Sequence, residues 1–254
     1  MTAETQQLEK EYYKLLQSNT RPLAVVLTGA GISAESGIPT FRDANGLWEG
    51  HDVHEVASPQ GWAKNPDLVL QFYNFRRKAA WETLPNAGHR ALVELETYCL
   101  VIVITQNVDS LHERAGSSHV LHLHGELRKA RSTGNPDLIY DIEGRPISVG
   151  DCCEEGHQLR PHIVWFGEEV PLCSLAAEIC EKAQFMLVVG TSMQVYPAAG
   201  LLDFVPKEAE KYVIDKKLPR INTTDSNMTL LEYPATVGVP RAVAAIKNKI
   251  ESWT

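Results

Sequence analysis

The sequence predicts an α/β fold in which a parallel sheet, covered on both faces, is interrupted by a smaller lobe. Three observations lead there. Short apolar runs alternate with helical stretches, the strand candidates are largely continuous apolar runs, and polar or glycine clusters follow several of them directly. A strand that is apolar at every position needs helices on both of its faces, which is the parallel-sheet arrangement. In such sheets ligands collect at the carboxyl ends of the strands.

The elements follow in order. Met1 to Gln17 carries acids and places Leu8, Tyr12, Leu15 and Leu16 on one side of an amphipathic helix, with no basic-then-apolar leader pattern. Leu23–Thr28 is the first strand, and it runs into the glycine-rich stretch Gly29 to Asp43. Further strands are expected at Leu100–Thr105, Val120–His124, His162–Phe166, Phe185–Val189 and Tyr212–Asp215. Helices are expected at Asp109–Ala115, Cys173–Lys182, Ala198–Val205 and Val239–Ser252. Two stretches break the alternation. The first is helical and dense in apolar residues from Leu68 to Trp81; the second is polar and rich in Gly and Pro. They are assigned to the smaller lobe, at about residues 44–83 and 126–159, leaving about 18–43, 84–125 and 160–254 to the sheet domain.

Composition narrows the function classes. The 254 residues, 44% of them hydrophobic, suffice for one large domain with an insertion. A net charge of −8 argues against a general nucleic-acid binder. No apolar run reaches transmembrane length, so no membrane partner is expected. The five cysteines, Cys99, Cys152, Cys153, Cys173 and Cys180, form no disulfide framework, and the cytoplasm is the expected location.

The glycine loop points to a nucleotide phosphate, because glycines allow a tight turn and close backbone approach. Its spacing is neither Gly-x-Gly-x-x-Gly nor a Walker loop: after Gly29 and Gly31 the next glycine is Gly37, and no Gly-Lys-Ser/Thr follows. Four further segments give it meaning. They are Thr105-Gln106-Asn107-Val108-Asp109-Ser110-Leu111-His112, His122-Leu123-His124-Gly125, Val164-Trp165-Phe166-Gly167-Glu168, and Gly190-Thr191-Ser192-Met193-Gln194-Val195-Tyr196-Pro197.

Together with the opening loop these segments strongly resemble the sirtuins, NAD-dependent protein deacylases, in order from about Leu23 to Pro240. The resemblance implies a Rossmann-like domain and a smaller lobe, with NAD and an acyl-lysine protein substrate meeting in the cleft between them. It implies that Gly29, Ala30, Gly31 and Ile32 approach the pyrophosphate, and that Pro39, Phe41, Arg42, Asp43 and Trp48 lie along the mobile loop by the nicotinamide ribose. Gln106, Asn107, Val108 and Asp109 would line the nicotinamide and ribose pocket, with Asn107 also serving catalysis. Gly190, Thr191 and Ser192 would hold phosphate and the adenosine side, and Ala235 falls where the family contacts adenine. His124 would be the general base, since an imidazole titrates near neutrality and can take a proton from a ribose hydroxyl. His122 is its confounder, two residues away, but the glycine after His124 matches the family motif. Val164, Trp165, Phe166, Gly167 and Glu168 on one side, and Val195 and Tyr196 on the other, would receive the substrate backbone as an added strand.

Tyr73 and Arg76, three apart on a helix, share a face and together suit a carboxylate. This Tyr-x-x-Arg resembles the sirtuin class that removes succinyl, malonyl and glutaryl groups. Two departures from the family are visible. Where most sirtuins carry two Cys-x-x-Cys pairs for a structural zinc, this chain has Ser132 and Asn135, then Cys152, Cys153 and Glu155; with His157 nearby, three ligands at most are available, and no structural zinc is expected. After Tyr212-Val213-Ile214 the chain has Asp215 where the family often has Asn, with Asn222 as a competing contact to the adenine ribose. The alternatives are an NAD-dependent mono-ADP-ribosyltransferase on the same scaffold and a non-catalytic NAD or acyl-peptide sensor. The glycine spacing disfavours an oxidoreductase.

Overall fold

The structure, a computed structural model, describes residues 2–39, 47–48, 51–219 and 226–253, with only the backbone of Leu47 and Trp48. In chain order the elements are α1 (Ala3–Ser18), β1 (Leu23–Thr28), α2 (Gly31–Ala34), β2 (Leu47–Trp48), β3 (His51–Asp52), α3 (Val53–Val56), α4 (Pro59–Lys64), α5 (Pro66–Glu82), α6 (Ala87–Leu95), β4 (Leu100–Thr105) and α7 (Leu111–Ala115). They continue with β5 (Val120–His122), β6 (Gly125–Ser132), β7 (Ile139–Asp141), β8 (Leu159–Ile163), α8 (Cys173–Cys180), β9 (Phe185–Val189), a 3₁₀ helix (Ala198–Phe204), β10 (Glu210–Ile214), β11 (Met228–Leu231) and α9 (Ala235–Glu251).

Among the described residues, six strands form one sheet in the order β11-β10-β9-β1-β4-β5, and every pairing in it is parallel. Alternation along the central strands divides the core in two. Leu23, Val25 and Leu27 join Ile102, Ile104, Met186 and Val188 on one face, under Tyr12 of α1 and Leu175 and Ile179 of α8. Ala24 and Val26 join Val101, Val103, Leu187 and Val189 on the other, under Leu92 and Leu95 of α6 and Val239, Val243 and Ile246 of α9. Side chains of successive strand residues point to opposite faces, so an all-apolar strand feeds both layers.

A second sheet, β7-β6-β8, is antiparallel and builds the smaller lobe with α3, α4 and α5. Its core gathers Val56, Val69, Phe72, Tyr73, Leu127, Ile163 and Trp165. Here the sequence reading needs correction. The run read as a parallel strand at His162–Phe166 is β8, Leu159–Ile163, lying antiparallel to β6. The connection from β6 back to β8 runs through β7 and irregular chain with no crossover helix, and a parallel return would need one. Pro161, which cannot donate to a ladder, sits on a strand paired on one side only. The run Ala198–Val205 forms a 3₁₀ helix over Ala198–Phe204 in place of an α-helix. The last helix begins at Ala235, before the expected Val239; Pro240 removes one backbone donor, but Ala235, Val239, Ala242, Val243 and Ile246 remain buried on the sheet. The strands β6, β7 and β11 and the helix α6 are not among the elements expected from the sequence.

Helix α1 belongs to both bodies. Tyr12 lies in the large core, while Glu4 Oε1 accepts from Lys129 Nζ at 2.9 Å and Glu4 Oε2 lies 3.2 Å from His162 Nε2. Its Thr2 side chain caps the first turn, and Ala3 N donates to Asp137 Oδ1 at 2.7 Å. Among the described residues, no helix is long and apolar enough to cross a membrane.

The loops after β1 and β9 meet backbone to backbone. Gly31 N donates to Gly190 O at 2.8 Å, and Gly29 N to Val189 O at 3.0 Å. A Cβ on Gly31 would lie 2.5 Å from Gly190 Cα, and one on Gly190, whose φ is +62°, 2.5 Å from Ile32 N. Both space and dihedral exclude a side chain there. Gly190→Ala is expected to cost about 1–3 kcal/mol, measurable as a lowered Tm by calorimetry.

Candidate active site

The carboxyl ends of β1, β4, β5 and β9 bring the polar segments into one place. Gln106 N donates to Thr28 O at 2.9 Å, so the loop after β4 continues the sheet pairing past the end of β1. Gln106 Nε2 then donates to Thr191 Oγ1 at 3.1 Å, joining that loop to the one after β9. Asn107 Nδ2 reaches Gly29 O at 3.1 Å and Ser33 Oγ at 3.2 Å. Ser33 Oγ donates to Asp109 Oδ2 at 3.1 Å, while Asp109 Oδ1 accepts from Leu111 N, the first residue of α7, at 3.1 Å. Asp109 is buried, and desolvation raises its pKa above the ordinary carboxyl value.

The two histidines of the His-Leu-His-Gly segment grip successive carbonyls of this loop. His124 Nδ1 lies 3.1 Å from Gln106 O, and His122 Nδ1 lies 3.0 Å from Asn107 O. A carbonyl only accepts, so each Nδ1 carries the proton. For His124 this leaves Nε2 as the lone-pair nitrogen, the state a base requires. Burial holds His124 below the usual imidazole value, with the Gln106 carbonyl opposing. His122 differs, because its Nε2 faces Glu113 Oε1 at 2.6 Å. The next residue after His124, Gly125 (φ +79°), begins β6; a Cβ there would fall 2.1 Å from His162 O. Val164 N donates to His124 O at 2.9 Å and Leu127 N to Val108 O at 2.8 Å. The histidine therefore stands where the two sheets join.

The other expected residues are distributed as follows. Ile32 is fully buried in the sheet core and supports the glycine loop from beneath. Pro39 is exposed. Phe41, Arg42, Asp43 and Asn222 lie outside the described residues, and of Trp48 only the backbone, in β2, is described. Ser192 is half-buried beside Thr191. Asp215, buried just past β10, accepts from Lys217 N at 3.0 Å. Ala235 opens α9, close against Gly88.

Phe166, Val195 and Tyr196 are exposed apolar side chains, whereas Val164 is half-buried and Trp165 is buried. Glu168 turns inward. Its carboxylate takes Arg160 Nη1 at 2.7 Å, Arg160 Nη2 at 3.1 Å and Trp165 N at 2.8 Å, and Arg131 approaches at 3.3 Å. The Arg160 guanidinium lies 3.2 Å above the Trp165 ring. These contacts hold the turn Val164–Gly167 from behind. Tyr73, on α5, is buried beside Trp165, and Trp165 Nε1 donates to its hydroxyl at 3.1 Å. The Tyr73 hydroxyl has that nitrogen as a donor, so its own hydrogen points elsewhere. Burial pushes its pKa up to about 12 despite Arg76 nearby. Arg76 is half-buried, its guanidinium 5.7 Å from the Phe72 ring.

Residues the sequence did not single out also matter here. Ser33 bridges Asn107 and Asp109, and a hydroxyl two residues past Gly31 was its signal. Asn86 donates to Ile32 O at 2.7 Å and to Ser36 Oγ at 2.9 Å, tying α6 to the glycine loop. Arg160 stood out only as a guanidinium within an apolar run.

At the positions where a structural zinc would fall, the side chains are committed to one another. Ser132 Oγ accepts from Gly134 N and Asn135 N, both at 3.1 Å, and from Cys153 Sγ at 3.3 Å. Asn135 Nδ2 donates to Glu155 Oε1 at 2.9 Å, and Cys152 is exposed. This donor set does not fit a tetrahedral zinc site, which needs four sulfur, nitrogen or carboxylate ligands. A surface cavity of about 350 Å³ by Gln184, Phe185, Glu210, Lys249 and Trp253 opens at the amino ends of β9 and β10, the edge opposite the glycine loops.

The Sir2 family pattern matches residues 29–197, from the first glycine to the Pro that closes the Gly190 segment. An NAD-dependent protein deacylase of Helicobacter pylori (strain J99) is 58% identical over 193 residues, covering 76% of this chain and 82% of its own. One from Bacteroides thetaiotaomicron is 53% identical over 220 residues, covering 85% and 94%. A crystal structure of a Sir2 homologue in complex with NAD superposes with a TM-score of 0.80 at 37% identity, covering 94% of each chain. The chain belongs to the Sir2 family, the sirtuins.

Two measurements follow. If His124 is the general base that its open Nε2 allows, burial, which lowers its pKa, puts the acid limb of kcat/KM below pH 6.5, with activity complete above it; His124→Ala should then abolish turnover. The fold is expected to keep its Tm in strong chelator, with less than stoichiometric zinc by elemental analysis. A chelator-dependent drop in Tm would overturn the expectation that this lobe holds no structural zinc.

Proposed function

We infer that this sirtuin is an NAD-dependent protein-lysine deacylase, and we propose that it favours acyl groups ending in a carboxylate, succinyl and malonyl, while retaining some deacetylation. The observation that carries the preference is the pairing of Tyr73 and Arg76 on one helix face beside Trp165, inside the small lobe. The hydroxyl takes its donor bond from Trp165 and keeps its own hydrogen to give. A guanidinium next to it offers a planar, charge-matched partner for a carboxylate.

NAD supplies an electrophilic ribose carbon, from which nicotinamide departs when the acyl oxygen attacks. The chain does the rest. Gly29, Ala30, Gly31, Gly190, Thr191 and Ser192 offer close backbone approach to the pyrophosphate. Gln106, Asn107 and Asp109 form the floor at the nicotinamide end. His124 Nε2 takes a proton from a ribose hydroxyl, which then attacks the acyl carbon, and water completes release of free lysine and O-acyl-ADP-ribose. Phe166, Val195 and Tyr196 flank the acyl-lysine backbone, which adds as a strand. Asp215 accepts from the adenine ribose, and Ala235 contacts the adenine. In this reading the five cysteines, free throughout, suit the cytoplasm.

Arg76→Met tests the preference. With succinyl-peptide, kcat/KM is expected to fall by roughly 10–100-fold, the loss of one charge-assisted hydrogen bond. Acetyl-peptide turnover should stay near wild type, since an acetyl group offers no carboxylate. An equal fall with both peptides would remove Arg76 from the acyl site. Label from NAD that stayed on protein, in place of soluble O-acyl-ADP-ribose, would favour ADP-ribosyl transfer instead.

A further inference from the structure

We propose that His122 is a positioning residue: donating at once to the Asn107 carbonyl and to the Glu113 carboxylate, it locks the Gln106–Asp109 loop in the shape that receives NAD. The proposal rests on the deacylase reading for what the loop does, but its geometry is independent of it. Nδ1 stands 3.0 Å from Asn107 O, and Nε2 stands 2.6 Å from Glu113 Oε1. Neither partner can donate, so both ring nitrogens carry hydrogen and the ring is an imidazolium.

The ring faces titratable groups from each neighbouring element. Glu113 comes from α7, Glu126 from β6 and Asp109 from the loop itself, while Arg128 of β6 acts on Glu113 and the buried His112 of α7 is held uncharged by desolvation. Burial of the ring opposes its charge, but Glu113, Glu126 and the Asn107 carbonyl outweigh that and raise its pKa to about 9. The consequence is mechanical. Asp109, in the loop before α7, accepts from Leu111 N at the first residue of that helix, and Glu113 lies two residues further on. His122 ends β5, and His124 follows. One ring therefore closes a circuit through β5, α7 and the loop whose side chains reach Gly29, Ser33 and Thr191.

The two histidines thus divide the work. His124 keeps a nitrogen open. His122 has none open, and its charge is what permits two donations from one ring. Deprotonation would leave a lone pair facing one of the two acceptors. The lock is intact below the raised pKa and is lost as pH rises through about 9.

The test uses the full chain with three variants, His122→Ala, His122→Asn and Glu113→Gln. Each is measured for kcat and peptide KM across pH, and for NAD affinity by calorimetry without peptide. His122→Ala is expected to lower kcat on the order of 10²-fold, the scale of a small misplacement of binding groups, and to weaken NAD binding, with peptide KM unchanged. An asparagine amide can still donate where Nδ1 stood, so His122→Asn should recover most of kcat and lose the wild-type decline near pH 9. Glu113→Gln should move that decline to lower pH. The proposal is overturned if His122→Asn is as impaired as His122→Ala, or if all three variants keep the wild-type alkaline limb and NAD affinity. If the wild type turns over no acyl-peptide, the deacylase reading fails. The His122 proposal then stands or falls on the NAD affinities alone.

Discussion

The closest constraint in this molecule is steric. The loops after β1 and β9 approach until only glycine fits, with Gly31 and Gly190 in backbone contact. Parallel neighbours in register end at the same height, so β1 and β9 deliver their loops to one line. The side-chain-free approach leaves Gly29 O to meet Asn107 and sets Thr191 within reach of Gln106. Any atom added at this contact would push apart the loops that those polar side chains bridge. The chemistry of the site is thus built on an absence of side chains, and its polar groups are aligned by backbone already paired to the sheet.

On that base, hydrogen bonds assign protonation. Carbonyl oxygens at Gln106 and Asn107 dictate which nitrogen of each histidine bears hydrogen, without reference to solvent. Only the second partner distinguishes the two rings. A carboxylate at Nε2 makes His122 a cation, whereas none of the described carboxylates bonds His124 Nε2, and burial lowers its pKa. Two identical side chains, two residues apart, thereby take opposite charge states. Nothing in the local sequence separates them except the glycine that follows His124. Glu113, nine positions before His122, is the other determinant.

The parallel sheet was legible because its central strands β1, β4 and β9 are buried at every position and apolar but for a terminal Thr in β1 and β4, a pattern that half-exposed strands do not show. The small lobe was harder to read. β6 mixes buried and half-buried residues around a bulge, and β8 carries an arginine, a proline and a histidine. Arg160 reads as a surface residue until Glu168 and the Trp165 ring are placed around it. The cleft motifs were recognisable because backbone geometry restricts their residue types: glycine where atoms nearly touch, asparagine where both a donor and an acceptor are wanted. Pairings across long sequence distances, such as Asn86 with Ile32 or Glu4 with His162, leave no local signature.

His124 is bonded at both ends to different bodies. Its ring is held by the large sheet, and one peptide further the chain enters the small one, where Val164 N holds the His124 carbonyl. A tilt of the small lobe cannot occur without torque on this residue. This residue is thus one of the links between the two sheets, beside Leu127 N on Val108 O and the Glu4 contacts of α1. If His124 is the base proposed above, a small lobe out of place would also put the base out of line, and no separate latch would be needed to keep a half-assembled cleft silent.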